Sequence, residues 1–159
     1  MKKYVLFLLA TACFSCGSKQ ENLDGIVGLA PSNIYLNLEN QGFETVKNLG
    51  GTTNGNIWEN KKTIDNIDYQ VTTYSKDIQV VETIKATALA DNADDIQSTM
   101  QFFAMISSAP YESAKPAEAS TWVKNNFDND KASKVIGDAK FTLYAPSNFA
   151  RMLTIEKTK

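Results

Sequence analysis

The chain has 159 residues, with 16 lysines and arginines against 18 aspartates and glutamates, a formal net charge of −2, no histidine and two cysteines. Such a mildly acidic balance gives no electrostatic support for binding nucleic-acid phosphates. Without histidine, Ser-His-Asp and Cys-His catalysis lack their base and zinc sites of the His/Cys type lack their ligands, which leaves chemistry to carboxylates, Tyr, Lys and Ser.

At the N-terminus, Lys2 and Lys3 are followed by the run Tyr4-Val5-Leu6-Phe7-Leu8-Leu9-Ala10 and then by small residues. This is the three-part layout of a secretory signal peptide, and its apolar run falls short of the about 20 residues that cross a bilayer as a helix. The small residues lead into cysteine, and in this the segment resembles the lipobox of bacterial lipoproteins. The resemblance implies a diacylglycerol on a cysteine thiol, removal of the residues before it, and acylation of the new amino terminus. Cys16, preceded by Cys13-Phe14-Ser15, is favoured as the lipid site. It leaves the fuller apolar segment and is followed by the polar run Gly17-Ser18-Lys19-Gln20-Glu21-Asn22. Cys13, preceded by Ala10-Thr11-Ala12, is the alternative. One acyl chain holds a protein at a membrane only marginally, whereas two or more anchor it. On this reading residues 1–15 are signal peptide, 16–28 a flexible tether and 29–159 a single domain. The lipid would consume the remaining cysteine, so no disulfide is expected in the mature chain.

In chain order, Pro31 suits a first helical position, and Ile34, Leu38 and Gln41, with Tyr35 beside them, mark one face of a helix that Gly42-Phe43 closes. Four strands are predicted next, Phe43–Leu49, Ile57–Lys62, Ile67–Tyr74 and Val80–Leu89, with turns at Asp65-Asn66 and Ser75-Lys76-Asp77. On the last of them Ile84, Ala86 and Ala88 alternate with Thr83, Lys85 and Thr87, the pattern of a half-buried strand. A second helix is predicted over Asn92–Ser107 from the spacing of Ile96, Met100 and Phe103, and a third from Pro116, carrying Ala119, Trp122, Val123 and Phe127. Strands at Ala139–Tyr144 and Arg151–Lys157 close the chain, with a turn at Pro146-Ser147-Asn148. The order α-β-β-β-β-α-α-β-β implies an α+β fold: an antiparallel sheet of five to six strands with two to three helices on one face.

The glycines of Gly50-Gly51-Thr52-Thr53-Asn54-Gly55 are spaced like a phosphate loop, but Asn56-Ile57 replaces the required lysine and hydroxyl residue and a strand follows, so a hairpin loop is expected. Asp91, Asp94 and Asp95 suit the start of the second helix. Asp128-Asn129-Asp130 begins like a calcium loop, yet it continues Lys131-Ala132-Ser133 without the glycine and reads as a solvated turn. No metal site and no cofactor is expected. Among the aromatics Tyr35, Trp58, Tyr69, Tyr74, Tyr111, Trp122 and Tyr144, most suit the core. Tyr74 and Tyr144 alternate away from the apolar faces and are the candidate partner-binding residues.

The pattern Gly28-Leu29-Ala30-Pro31-Ser32-Asn33-Ile34-Tyr35 through Gly42-Phe43, then Trp58, Tyr69-Gln70-Val71, Pro110-Tyr111 and Trp122-Val123, resembles one found in small uncharacterised bacterial lipoproteins and secreted proteins. It implies no activity. The expected function is that of an exported, outer-membrane-anchored envelope lipoprotein, non-catalytic, which binds an envelope protein or glycan or serves as a structural accessory. The alternative is a histidine-independent hydrolase built on paired carboxylates, for which Glu59, Asp68 and Glu82 are the acids that could meet across a sheet.

Overall fold

The computed structural model describes residues 24–49 and 55–158. It shows an α+β fold: helix α1 (Pro31–Glu39), strands β1 (Glu44–Asn48), β2 (Asn56–Ile64), β3 (Ile67–Ser75) and β4 (Thr83–Ala90), helices α2 (Met100–Ser107) and α3 (Pro116–Asn126), then strands β5 (Lys131–Ile136), β6 (Ala139–Ser147) and β7 (Ala150–Lys157). The seven strands form one antiparallel sheet in the order β1-β2-β3-β4-β7-β6-β5. It is two meanders, β1 to β4 and β5 to β7, joined where the last strand of each pairs with the other. The link from β4 to β5 runs through α2 and α3.

Turn chemistry sets the register. Asp65 and Asn66 both have positive φ, 50° and 62°, so they close the β2–β3 hairpin as a two-residue turn whose twist matches its strands. At the other end of the sheet Gly137, φ 58°, shapes the β5–β6 turn; a Cβ there would lie 2.2 Å from the carbonyl oxygen of Ser113. Pro146 falls within the irregular stretch of β6 between Tyr144 and Ser147, where a missing N–H does no harm to the ladder.

The strand pattern puts the core on one face. Ile84, Ala86, Ala88 and Ala90 are buried along β4, opposite Val71 on β3 and Leu153 and Ile155 on β7. The helices lay their aromatic residues on this face: Tyr35 of α1 stacks on Trp58, Phe102 of α2 meets Tyr69 edge-on, and Trp122 of α3 meets Phe141 at 68°. Phe103 and Phe127, both fully enclosed, join α2 to the end of α3. Each such buried ring is worth about 3–5 kcal/mol against alanine.

Four expectations need correction. The sheet has a seventh strand, β5, which escaped detection because four of its six positions are exposed, Ala132 is half-buried and only Ile136 is buried. The single helix expected over 92–107 is a 3-10 turn at Asp95–Thr99 followed by α2. The hydroxyls of Ser98 and Thr99 bond the carbonyls of Asp95 and Ile96, three residues back, and tighten the first turn. Its start is capped by Asn92, whose Oδ1 accepts from the N–H groups of Asp94 and Asp95, rather than by the aspartates. Finally, residues 25–28 belong to the folded body and not to a tether. Ile26 is fully buried and donates its N–H to Val81 (2.7 Å), while Val81 donates to Leu29 (2.8 Å), so Val81 pairs with the entering chain, the Val80 N–H bonds the Asp77 carboxylate, and β4 starts only at Thr83.

Candidate functional site

The face of the sheet opposite the helices carries none of the buried apolar side chains. Read across the strands in register, its central row is Val46, Glu59, Thr72, Lys85, Thr154, Thr142 and Ser133. The flanking rows run Ile57, Tyr74, Thr83, Glu156, Lys140, Val135 on one side and Lys61, Gln70, Thr87, Met152, Tyr144, Lys131 on the other. It is a field of hydroxyls crossed by two ion pairs: Lys61 pairs with Glu59 (3.1 Å) and Lys140 with Glu156 (3.1 Å), while the hydroxyls of Ser133 and Thr142 bond each other at 3.0 Å.

Tyr74 and Tyr144 both stand on this face, as the alternation requires, but they do not form one patch. Three strand spacings and four residues separate them, about 20 Å diagonally. Tyr74 is half-buried, with the Lys85 ammonium 5.1 Å from its ring centre. Tyr144 is exposed and lies beside Met152, one row from the exposed Leu89. Tyr74 is therefore at the end of the sheet where the described chain enters, with Asp24 paired to Lys76, and Tyr144 is near the far end with the Asp65-Asn66 turn. That contact holds the Asp24 carboxyl below its usual value and raises the Lys76 ammonium.

The carboxylates considered for hydrolysis do not converge. Glu59 is paired with Lys61, Asp68 accepts from the Thr63 hydroxyl (2.7 Å), and Glu82 faces Lys76 at 3.5 Å, each on a different row. Asp128 accepts from the Gln97 amide and Asp130 offers only its backbone carbonyl to Ala145. Among the described residues no cluster of three metal-ligating side chains occurs, and no helix is long and apolar enough to cross a membrane. Cys13, Cys16 and residues 50–54 of the glycine-rich loop lie outside the described residues.

The remaining aromatics divide as follows. Tyr111 is buried, donates to the Ile136 carbonyl (2.7 Å) and has its phenol pushed up by burial; Tyr69, half-buried against Phe102, is raised for the same reason. Trp58 is buried, and Tyr35 receives the Lys47 ammonium 4.0 Å over its ring. Trp122, assigned to packing from its place on the apolar stripe, keeps one side on Phe141 and opens the other into a hollow against β5. β5 closes that hollow against α3 with Lys134, so a reading without β5 had no means of finding it. Comparison of the chain with protein-family models, with curated proteins and with solved structures returns no match.

Proposed function

We propose that this protein is a non-catalytic binding module of the bacterial cell envelope, tethered to the outer membrane through lipid on Cys16, and that the uncovered sheet face docks a partner protein. The bare face carries the reading. Seven strands at about 4.8 Å spacing and about eight residues in length give a footprint of roughly 750 Å². One side of a standard protein interface buries about 800 Å². The face presents tyrosine and methionine, residue types enriched at interface centres, among hydroxyls that can pair with a partner's polar groups. The lipid signal at the N-terminus and the entry of the folded body at Asp24, beside the β3–β4 connection, put Tyr144 and Leu89 at the end away from the anchor.

A photo-crosslinking residue at Thr154, in the middle of the face, tests the docking in native membranes, with Asn37 on α1 as control. A discrete adduct from Thr154 and none from Asn37 is the expected result; equal or absent adducts at both positions refute it. Mass spectrometry of the mature N-terminus tests the tether separately, and an unmodified terminus would remove it.

A further inference from the structure

Three of the hollows among the described residues lie on the helix side of the sheet. Two adjoining ones between α1 and α2, about 300 and 320 Å³, share Gln41 and Met105 and are walled mainly by Ile34, Leu38, Phe43 and Phe102. They are apolar, and nothing beside them selects an occupant. The third also exposes mainly apolar surface but sets a half-buried tryptophan among polar side chains. It measures about 410 Å³, lies between α3 and the edge strand β5, and is lined by Glu118, Thr121, Trp122, Asn125, Asn126 and Lys134.

We propose that this third hollow is a binding site for a neutral saccharide, with a pyranose ring stacked on Trp122. The indole is held by Phe141 on one side, ring centres 6.3 Å apart, and is only half-buried. Its N–H, the Thr121 hydroxyl and the Asn125 amide make no hydrogen bond to any described residue. Glu118 sits at the end of the hollow with its carboxylate 2.8 Å from Lys134 and 3.7 Å from Lys115, a geometry that keeps it ionised. Because these lysines offset its charge, the hollow favours neither an anion nor a cation. What it offers is an aromatic platform, free donors and a carboxylate able to accept two neighbouring hydroxyls. That is the complement of a sugar, which has an apolar C–H face and a rim of hydroxyls. The volume lies within the range of small-ligand sites. The site is on the opposite layer from the open sheet face and stands independently of any docking there.

The chain has two tryptophans, so its two indole N–H resonances give a built-in comparison between Trp122 and the buried Trp58. The protein, in a zwitterionic detergent without a sugar headgroup, is titrated with tri-N-acetylchitotriose and with maltotriose to about 20 mM, which covers dissociation constants near 1 mM. The expected result is a saturable shift of the Trp122 resonance with Trp58 unmoved, weakened about tenfold in Asn125→Ala and in Glu118→Gln. Both substitutions are at solvent-accessible positions and leave the fold intact, which the unmoved Trp58 resonance verifies. No saturable shift with either trisaccharide, equal movement of both resonances, or undiminished binding in both variants overturns the proposal.

Discussion

Arg151 closes the C-terminal end of α3 by donating its Nε–H to the carbonyl of Phe127 at 3.0 Å, with the guanidinium carbon 5.2 Å over the Phe127 ring. Its Nη1 donates to the carbonyls of Ser147 and Ala150, both at 2.9 Å, so one side chain ties the end of a helix to the β6–β7 turn. The charge faces the negative pole of the helix, which favours it, and the side chain is buried at 7% exposure.

Arg151→Met fills similar space but strips three carbonyls of their partner. Hydrogen bonds to a charged donor contribute about 1.5–3 kcal/mol each, partly recovered by water at this rim, so a loss of about 2–4 kcal/mol is expected in urea unfolding. Arg151→Lys recovers only a part, because an ammonium cannot present the planar fork.

Gly137→Ala introduces a Cβ at a left-handed residue, 2.2 Å from the Ser113 carbonyl oxygen. The turn has to move, and Asp138, whose N–H bonds Ser113 Oγ at 2.8 Å, moves with it. A loss of about 2 kcal/mol or more follows, read as a lowered thermal midpoint. An unchanged midpoint would mean that the contact between this turn and the α2–α3 connection is absent in solution.

The pair Glu118–Lys134 gives a pH dependence. Hydrogen bonding to Lys134 is the main cause that holds the Glu118 carboxyl below its ordinary 4.5. A carboxyl lowered in the folded state adds stability above the unfolded value and loses it as pH falls through the folded one. The difference between wild type and Glu118→Gln is therefore expected to be constant at neutral pH and to shrink below about pH 4.5. The groups are exposed, so the effect is small, and about 1 M salt should erase it.

Tyr144→Ala leaves stability within about 0.5 kcal/mol, as for other exposed positions. Tyr74→Ala costs up to about 1 kcal/mol through its contact with Lys85. Paired equilibrium unfolding curves measure both. A core-sized loss on Tyr144→Ala would show that the sheet face is already covered in solution, which is incompatible with a free docking surface.

Most of the element plan was legible because its signals are local. Pro31 and Pro116 open their helices, Asp65-Asn66 turns its hairpin, and the alternation along β4 separates Ile84 and Ala86 from Lys85. Tyr74 and Tyr144 could be assigned to the uncovered face by the same period-two rule. Where local signals competed, the outcome went elsewhere. Val80 and Val81 have the composition of a strand start, yet the entering chain at Ile26 and Leu29 takes the hydrogen bonds of Val81, and the Asp77 and Ser75 side chains take those of Val80.

Sequence by itself determined the signal-like N-terminus, the absence of histidine, the α+β class and the facing of strands such as β4, because each depends on residue identity or on a period of two or four along the chain. Tertiary structure alone decided the seventh strand, the 20 Å separation of the two tyrosines and the hollow at Trp122. β5 has little apolar pattern of its own and is held by its ladder to β6 and by the contact of Lys134 with Glu118, partners distant in sequence. Such pairings cost loop closure before they return any contact energy, and no short window of sequence records which of them will form.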